Sequence, residues 1–378
     1  MNILHLASFT GNIGDNASHI GLYKVIDGFF ADYSVEKIEI RKFYKNYGRI
    51  DKKYFDSSFI EYINTFDLVI IGGGGFLDYW VPGSETGTTL DISPALIATI
   101  SVPTLITSVG CVPHRDIPDG NIERFRKFLD AVNANNLVKI AVRNDGSVKS
   151  FRDHIGESYL DNIPEVLDSG FFYDVAQTNI FSHIKKYVAV NITHDQIGMN
   201  SKSRDKIDLK RYYNELAKTI EYIINNEKLD VVFIPHIYSD LKAISCLLDG
   251  LDDFYIRNHI TVAPCIQKDI GADYLFSVYK GSELVLGTRY HANICSLAIK
   301  KPVIGLVALD RVAYLYEKLG LSVRTVDLNE TFSPDLSQKI SNSLSGKLIC
   351  DDNNIDRLKI QTLEIYRNIF SNFGFSLA

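Results

Sequence analysis

The amino-acid sequence predicts an α/β protein with two lobes, each built on a doubly wound parallel sheet. Short runs of Val, Ile and Leu alternate with longer amphipathic stretches, which is typical of strands joined by crossover helices. The apolar runs are continuous, so both faces of each sheet are expected to be covered. The chain of 378 residues also exceeds the size at which a single hydrophobic core usually stops growing.

Nine strands follow from this pattern. In the first half they are predicted at residues 3–7, 68–71, 104–107 and 138–142. In the second half they are predicted at residues 187–191, 231–234, 260–262, 284–286 and 303–306. The helices of the second half are expected to begin near Leu209, Ser239, Ile270, His291 and Arg311. Each half therefore has the strand and helix content of one doubly wound lobe.

The predicted domains are a first lobe at residues 1–178, a second lobe at residues 179–328 and a helical tail at residues 329–378. The join is placed where a polar Ala-Gln-Thr-Asn segment precedes a new strand. The tail has helical periodicity and no further glycine-rich turn. It is therefore expected to cross back and pack against the first lobe.

Composition and charge exclude several classes of function. Asp and Glu outnumber Lys and Arg by 46 to 40, which argues against a nucleic-acid protein held by phosphate neutralisation. A basic run at residues 202–211 is either a solvated face or a mobile loop over a phosphate.

The first residues lack the basic flank of a signal peptide, and no run approaches the ~20 apolar residues of a membrane span, so a cytoplasmic location is expected. Five cysteines without a CxxC pair fit neither a disulfide framework nor a zinc site, and no metal or other cofactor is expected.

Ligands of open α/β sheets bind beyond the carboxyl ends of the strands, so polar residues directly after predicted strands are candidate site residues. The first such segment follows the opening strand and contains Gly11, Asn12, Gly14 and Asp15. Its glycines permit a tight turn into a helix near Asn16, whose free amides favour an anion. Asp15 has two possible roles: it caps the helix, which is the more common role, or it acts as a general base.

Four consecutive glycines at residues 72–75 end the second predicted strand. Gly73, Gly74 and Gly75 would let backbone amides approach a ligand without interference from Cβ atoms. The same glycines suit a tight crossing from strand to helix. The sequence gives the two interpretations equal weight.

Histidines and other polar residues follow two strands of the second half. His236 and the nearby Asp240 follow one strand, and Asn191, His194 and Asp195 follow another. Imidazole can change its charge near neutral pH, but a lone histidine at a helix start is more often structural. These residues are candidates for the lining of a pocket.

A cation and a titratable group lie two residues apart after the strand at residues 284–286. Arg289 offers a planar guanidinium to a phosphate or carboxylate, and His291 can exchange a proton at the first turn of the next helix. The alternative pairs Arg289 with a surface acid and makes His291 a helix cap. The presence of both groups at a crevice position favours the functional interpretation.

In order and spacing, these motifs resemble the polysaccharide pyruvyl transferase family. Its members carry a GNxGD-type turn, a GGGG block and an RxHA motif, which are found here at residues 11–15, 72–75 and 289–292. The segments KPVIG and KLGL, at residues 301–305 and 318–321, are similar to the family's later strand and closing segment. The resemblance implies a GT-B-like fold in which two Rossmann-like lobes face each other, the first on the acceptor side and the second on the donor side.

The resemblance also implies transfer of pyruvate, as a ketal, from phosphoenolpyruvate to a sugar of a cell-surface polysaccharide or its precursor. Arg289 would bind the donor, His291 would protonate it, and Asp15, from the opposite lobe, would be the base for the sugar hydroxyl. Further donor-binding residues would be Tyr290, Arg311, Asn191, His194 and His236. A lipid-linked acceptor would bring the enzyme to the inner face of the membrane.

The sequence departs from the family pattern at two places that bear on the donor. Leu309 and Arg311 stand where many members have Tyr and Lys, and Thr193 and His194 stand where a further arginine would be expected. Two alternatives therefore stay open. One is a GT-B glycosyltransferase that uses a nucleotide sugar, and the other is a non-catalytic homologue that binds a saccharide or a partner protein.

Overall fold

Two parallel sheets covered by helices make up the computed structural model of the chain. The structure describes residues 1–175, 186–199, 207–348 and 353–377. The predicted join at residues 178 and 179, the part of the basic run at residues 202–206, and Cys350 lie outside these ranges. Within these ranges, no helix has the length and apolar character needed to cross a bilayer.

The first sheet contains six parallel strands. They are β1 (Asn2–Ala7), β2 (Ser34–Glu39), β3 (Leu68–Gly74), β4 (Thr104–Val109), β5 (Val138–Arg143) and β6 (Glu165–Val166). The intervening helices are α1 (Ile13–Asp27), α2 (Ser57–Ile63), α3 (Pro94–Ile97), α4 (Asn121–Ala134) and α5 (Ser147–Ser150), with 3₁₀ or π turns at Ile40–Phe43, Phe151–Ile155, Glu157–Asp161 and Ser169–Phe172. The strand order is β2-β1-β3-β4-β5-β6. The chain leaves β1 in both directions, so the switch point of the sheet lies between β1 and β3.

The second sheet has the same design. Its strands are β7 (Tyr187–Asn191), β8 (Asp230–Phe233), β9 (Ile260–Val262), β10 (Leu284–Gly287), β11 (Val303–Val307) and β12 (Thr325–Asp327). Its helices are α6 (Leu209–Tyr222), α7 (Tyr238–Leu248), α8 (Asp253–His259), α9 (Lys268–Gly281), α10 (Tyr290–Ala298), α11 (Asp310–Leu319) and α12 (Ser333–Leu344), with turns at Ile223–Glu227 and Ser322–Arg324. The order β12-β11-β10-β7-β8-β9 places the switch point between β7 and β10. A last helix, α13 (Asn353–Asn372), follows.

The predicted fold class is confirmed, and all nine predicted strands are present. The helices expected in the second half begin at Leu209, Tyr238, Lys268, Tyr290 and Asp310, within two residues of the predicted positions. The strands β2, β6 and β12 were missed, and each lies at the edge of its sheet. β2 has the mixed sequence SVEKIE, while β6 and β12 have only two and three residues. Edge strands need no continuous apolar run, so the criterion that found the central strands did not detect these three.

The chain forms two compact units, and neither unit is one continuous segment of the chain. The first unit contains Met1–Phe9, Leu22–Ser169 and Ile355–Ala378, and the second contains Thr10–Gly21 and Gly170–Asn354. The glycine turn after β1 and the first half of α1 thus belong to the second unit. Two contacts hold them there: Ile13 N donates to a carbonyl after β8 at 3.4 Å, and Asn16 Nδ2 donates to the α9 residue Asp269 at 2.9 Å.

The last helix, α13, belongs to the first unit. The Tyr366 hydroxyl lies 2.8 Å from the hydroxyl of Thr107 in β4, and Thr362 accepts a backbone hydrogen bond at 3.0 Å from the residue after β6. Phe370 packs edge-on against Phe29 and Phe30 at the end of α1, with ring centroids 5.4 and 5.1 Å apart. The helix therefore completes the core of the first unit.

The packing of Phe370 predicts a large effect on the stability of the first unit. Phe370 is 1 % exposed, so Phe370→Ala should lower the free energy of unfolding by about 3–5 kcal/mol through lost burial and a cavity. Urea unfolding can be followed by the emission of Trp80, which is the single tryptophan of the chain and lies in the first unit. Leu363→Ala in the same helix is the control, because Leu363 is 36 % exposed. A loss of the same size in both variants would contradict the predicted packing.

Candidate active site

The carboxyl ends of β7, β8 and β10 bring the predicted site residues of the second unit together. β7 and β10 flank the switch point, and Gly287 lies opposite Asn191 in their register. The residues that follow these strands therefore lie where open α/β sheets bind their ligands.

Arg289 is buried and held by two carboxylates. It directly precedes α10, and its side chain is 9 % exposed. Nε lies 2.9 Å from both carboxylate oxygens of Asp240, and Nη2 lies 2.5 Å from Asp240 Oδ1 and 2.7 Å from Asp195 Oδ1. Asp240 is fully buried, whereas the Asp195 side chain is 40 % exposed. Arg289 thus pairs with two acids, where one surface acid was the predicted alternative, and one of the two is internal.

The charges of this cluster stabilise one another. Burial acts against the charged form of Arg289, but Asp240 and Asp195 outweigh it and raise the pKa of the guanidinium. Burial also acts to raise the pKa of Asp195, but Arg289 and the Thr193 hydroxyl outweigh it and lower that pKa. Asp240 accepts two further hydrogen bonds, at 2.9 and 3.3 Å, from backbone N–H groups at the start of α7. Arg289 and Asp195 therefore stabilise each other in their charged forms.

One nitrogen of the Arg289 guanidinium has no described partner. No atom of residues 1–175, 186–199, 207–348 or 353–377 accepts a hydrogen bond from Nη1, whereas Nε and Nη2 are both engaged. A ligand anion can use Nη1, or it can replace the partly exposed Asp195 on Nη2.

His291 lies beside Asp15 in the same compact unit. Its Nδ1 is 3.6 Å from Asp15 Oδ1, and the two side chains are 7 % and 13 % exposed. Gly14 lies directly against the His291 side chain. A Cβ at this position would lie only 2.5 Å from His291 Cβ. Asp15 was expected to come from the opposite lobe. The glycine turn instead belongs to the second unit, so Asp15 and His291 are neighbours within it.

Asp15 does not cap α1. The helix begins at Ile13, so Asp15 is its third residue. Asn12 precedes the helix, and its side-chain oxygen accepts a hydrogen bond from Gly14 N at 3.0 Å, while its amide donates to Asp15 Oδ1 at 3.0 Å. Gly11 has a φ of 82°, which favours glycine in the turn. Asn12 therefore has the capping role that was considered for Asp15, and it also orients the Asp15 carboxylate.

His236 supports the site from within. It is fully buried, and its Nε2 lies 2.8 Å from the Tyr279 hydroxyl. Burial, followed by the charges of Arg289 and His291, lowers the pKa of His236 well below its usual value. Its imidazole is therefore neutral at neutral pH, and its main-chain carbonyl and N–H bind α1 and Asp240 respectively.

Two buried asparagines fix the turn that carries Arg289. Asn191 donates to the carbonyl that follows β8 and accepts from Arg289 N, both at 3.0 Å. Asn293 donates to the last carbonyl of β10 and to Arg289 O, at 3.0 and 2.9 Å, and it accepts from the Tyr316 hydroxyl at 2.8 Å. Asn293 was not among the predicted site residues, although a polar residue inside the apolar helix YHANICSLA indicates a buried hydrogen bond.

The other predicted donor-binding residues lie around the same strand ends. His194 Nδ1 is 2.8 Å from the Tyr213 hydroxyl, and burial, followed by the charge of a nearby lysine, lowers the pKa of His194. Tyr290 is 7 % exposed, and its ring centroid is 5.6 Å from that of His291. Arg311 is the second residue of α11 and is partly exposed. In the described part of the chain, no group of three or more His, Cys, Asp or Glu side chains is placed to hold a metal ion.

The four glycines at residues 72–75 lie in the first unit, where packing explains two of them and backbone conformation a third. A Cβ at Gly72 would lie 2.5 Å from a carbonyl oxygen of β4, and a Cβ at Gly74 would lie 2.6 Å from the ring of the next phenylalanine. Gly73 has a φ of 79°, which favours glycine. Gly75 is partly buried. Close packing and a left-handed backbone therefore account for the first three glycines without a ligand.

The family model for polysaccharide pyruvyl transferases matches residues 12–308 of this chain. The matched span contains Asp15, Asp240, Arg289 and His291. The chain belongs to the polysaccharide pyruvyl transferase family. A comparison of this family member with curated proteins found no match.

Solved structures with the GT-B fold are similar to this pyruvyl transferase family member. A putative UDP-N-acetylglucosamine 2-epimerase from Listeria monocytogenes has a TM-score of 0.57 at 10% identity, covering 99% of this chain and 96% of that one. A glycosyltransferase from Rickettsia africae has a TM-score of 0.56 at 12% identity, with coverages of 98% and 99%. The UDP-GlcNAc 2-epimerase from Neisseria meningitidis, solved bound to UDP-GlcNAc, has a TM-score of 0.55 at 11% identity, with coverages of 97% and 100%. At these identities the likeness shows the fold alone, and it confirms two Rossmann-like lobes.

The two acids beside Arg289 should differ strongly in their effect on stability. Asp240→Ala should lower the free energy of unfolding by about 3–5 kcal/mol, because it leaves the buried guanidinium without its internal partner. Asp195→Ala should cost less than about 1 kcal/mol, because Asp195 is partly solvated. Thermal unfolding followed by circular dichroism measures both. Similar losses in the two variants would contradict the assignment of Asp240 as the internal anchor.

The neutral, buried His236 predicts a pH dependence of stability. In the unfolded chain its pKa returns to about 6.5. Below this pH the unfolded state therefore binds a proton that the folded state does not bind. The folded state is therefore destabilised by His236 as the pH falls below about 6.5, by up to about 1.4 kcal/mol per pH unit. His236→Gln keeps a polar atom near Tyr279 and cannot titrate, so its unfolding temperature should approach that of the wild type as the pH falls from 7.5 to 5.5. A constant difference across this range would exclude a neutral His236.

Proposed function

We propose that this family member transfers pyruvate, as a ketal, from phosphoenolpyruvate to a sugar of a cell-surface polysaccharide or its precursor. The observation that carries the proposal is the placement of His291 and Asp15, 3.6 Å apart, in the same compact unit as Arg289. Family membership supports this reaction class. The cytoplasmic location expected from the sequence stays a prediction.

Ketal formation makes definite demands on the protein. Two sugar hydroxyls form C–O bonds to the central carbon of the donor, the C–O bond to phosphate breaks, and the methylene becomes a methyl group. Of the two protons that leave the hydroxyls, one is balanced by the proton that the methylene gains and the other by protonation of the departing phosphate. The site therefore needs a proton donor, a proton acceptor and a cation for the anionic donor.

In the proposed mechanism His291 protonates the methylene, and Asp15 accepts a proton from a sugar hydroxyl. Their 3.6 Å separation lets the carboxylate orient the imidazole, and it places the group that gains a proton next to the group that loses one. Gly14 keeps this arrangement close, because any larger residue would push against the His291 side chain. The pair can thus return to its starting protonation state after each turnover.

Arg289 is proposed to bind the phosphate or carboxylate of the donor. Asp240 fixes the guanidinium from inside, while Asp195 occupies Nη2 from a partly exposed position. A donor anion would compete with Asp195 and would also reach Nη1. Arg311, at the start of α11, and His194 are proposed as further contacts of the donor.

A nucleotide sugar is the second candidate donor. Two observations favour it: the similar solved structures include one bound to UDP-GlcNAc, and the charge of Arg289 is already balanced by two acids. In this case the chain would be a glycosyltransferase on the same scaffold.

Removal of the proposed proton carriers should strongly reduce phosphate release from phosphoenolpyruvate in the presence of saccharide acceptors. His291→Gln and Asp15→Asn should each lower the rate by about 10²-fold or more, because each removes a group that moves a proton in the reaction. His259→Gln is the matched control: His259 is a partly exposed histidine of the second unit, paired with Asp230 at 2.9 Å, and its loss should leave the rate unchanged.

Two outcomes would contradict this proposal. One is an unchanged rate in His291→Gln. The other comes from thermal shifts, since a ligand of the native state raises the unfolding temperature. Stabilisation by UDP-GlcNAc with none by phosphoenolpyruvate would replace pyruvyl transfer with glycosyl transfer.

A further inference from the structure

A second group of polar and aromatic side chains lies in the first unit, on the loops that follow β3 and β4. It consists of Asp78 and Trp80 after β3, and of His114 and Arg115 after β4. We propose that this group, the Trp80 cluster, binds the saccharide acceptor. The identity of the ligand as an acceptor rests on the proposed function, whereas saccharide binding itself can be measured without the donor.

The location of the Trp80 cluster fits a ligand site. β3 borders the switch point of the first sheet, and β4 is its next neighbour. Side chains on the loops at the carboxyl ends of these strands are those that an open α/β sheet presents to a ligand. This is the same relation that Arg289 and His291 have to the second sheet.

The polar part of the cluster is an aspartate–histidine pair. Asp78 is 2 % exposed, and its Oδ1 accepts a hydrogen bond from Val112 N at 2.8 Å. Its Oδ2 lies 3.4 Å from His114 Nδ1, and the His114 side chain is 22 % exposed. A carboxylate fixed by the backbone therefore orients an imidazole that solvent can reach. Such a pair can both donate and accept hydrogen bonds, as the hydroxyl groups of a sugar require.

The apolar part of the cluster is the Trp80 ring. Trp80 is partly exposed, the His114 ring centroid is 5.6 Å away at 66°, and the guanidinium carbon of Arg115 lies 4.4 Å from the ring centroid. Arg115 is exposed and long, so it can move aside and free the ring for the C–H face of a sugar. The indole Nε1 is shielded and finds no acceptor among the described residues. A bound hydroxyl that reached this N–H would supply the missing hydrogen bond.

The loop that carries Asp78 and Trp80 is held in one conformation by buried polar groups. Asn121, at the start of α4, donates from Nδ2 to the carbonyls of residues 79, 81 and 87, at 3.0, 3.1 and 3.2 Å. The hydroxyls of Ser84, Thr86 and Thr88 bond to one another and to the backbone within the loop. A loop fixed in this way loses little further freedom when a ligand binds, which favours a preorganised site.

Trp80 offers a direct test because it is the single tryptophan of the chain. The full-length protein is titrated, without phosphoenolpyruvate, with the methyl glycosides of glucose, galactose, mannose and their N-acetylamino derivatives while its fluorescence is recorded. At least one of them should change the emission of Trp80 saturably, with a Kd of about 1 mM or somewhat weaker, as a small ligand with few contacts allows.

Variants separate a binding site from a merely structural cluster. His114→Ala and Arg115→Ala should each weaken the saccharide response by about 10-fold, because each removes hydrogen bonds or ring contacts to the ligand. His154→Ala is the matched control. His154 is an exposed histidine that bonds the hydroxyl of Tyr79, the neighbour of Trp80, and its removal should leave the response unchanged.

The proposal is overturned if no glycoside in the panel changes the emission, or if His114→Ala and Arg115→Ala respond as the wild type does. It is also overturned if phosphoenolpyruvate, and none of the saccharides, changes the emission. These outcomes are independent of the transferase proposal. A protein that binds saccharides at Trp80 but is not stabilised by phosphoenolpyruvate would retain the saccharide site and lose the pyruvyl donor.

Discussion

The buried ion pair between Arg289 and Asp240 is the interaction on which the rest of the candidate site depends. An internal charge pair is stable only when its remaining hydrogen-bonding groups are satisfied. Here two backbone N–H groups at the start of α7 complete Asp240, and Asn191 and Asn293 fix the backbone on either side of Arg289. The pair therefore ties the end of β10 to the start of α7 across the end of β7.

This arrangement explains why many polar residues of the site are fully buried. His236 provides the N–H that Asp240 accepts and the carbonyl that receives Ile13 N, so it links the ion pair to the glycine turn. The turn in turn carries Asp15 to His291. Hydrogen bonds and the backbone between them thus connect the cation to the turn that carries Asp15, and a change at one member would disturb the geometry of the others.

Much of the fold and part of the site could be predicted from the sequence. Continuous apolar runs revealed the central strands because burial on both faces leaves that pattern, and residues after those runs included Arg289, His291 and Asp15. The ion pairs of the site could not be predicted, because nothing in the sequence shows that Asp240 and Asp195 both contact the Arg289 guanidinium. The contacts of the glycine turn could not be predicted for the same reason: chain order places it after β1, while its contacts group it with the second unit. His114 lies only a few residues after the predicted strand β4. The rule that polar residues after strands are candidate site residues could therefore have included it.

Each unit carries an aspartate–histidine pair beyond its strand ends, and the two pairs suit different tasks. Asp15 and His291 are 13 % and 7 % exposed, so little water would compete for the protons that they are proposed to exchange. Asp78 is also buried, but His114 is 22 % exposed and lies beside an aromatic ring. A proton donor to a reactive enol ether benefits from exclusion of water, whereas an acceptor sugar must enter and leave with its hydroxyl groups solvated. The difference in exposure therefore agrees with proton transfer by the first pair and with binding of the acceptor sugar by the second.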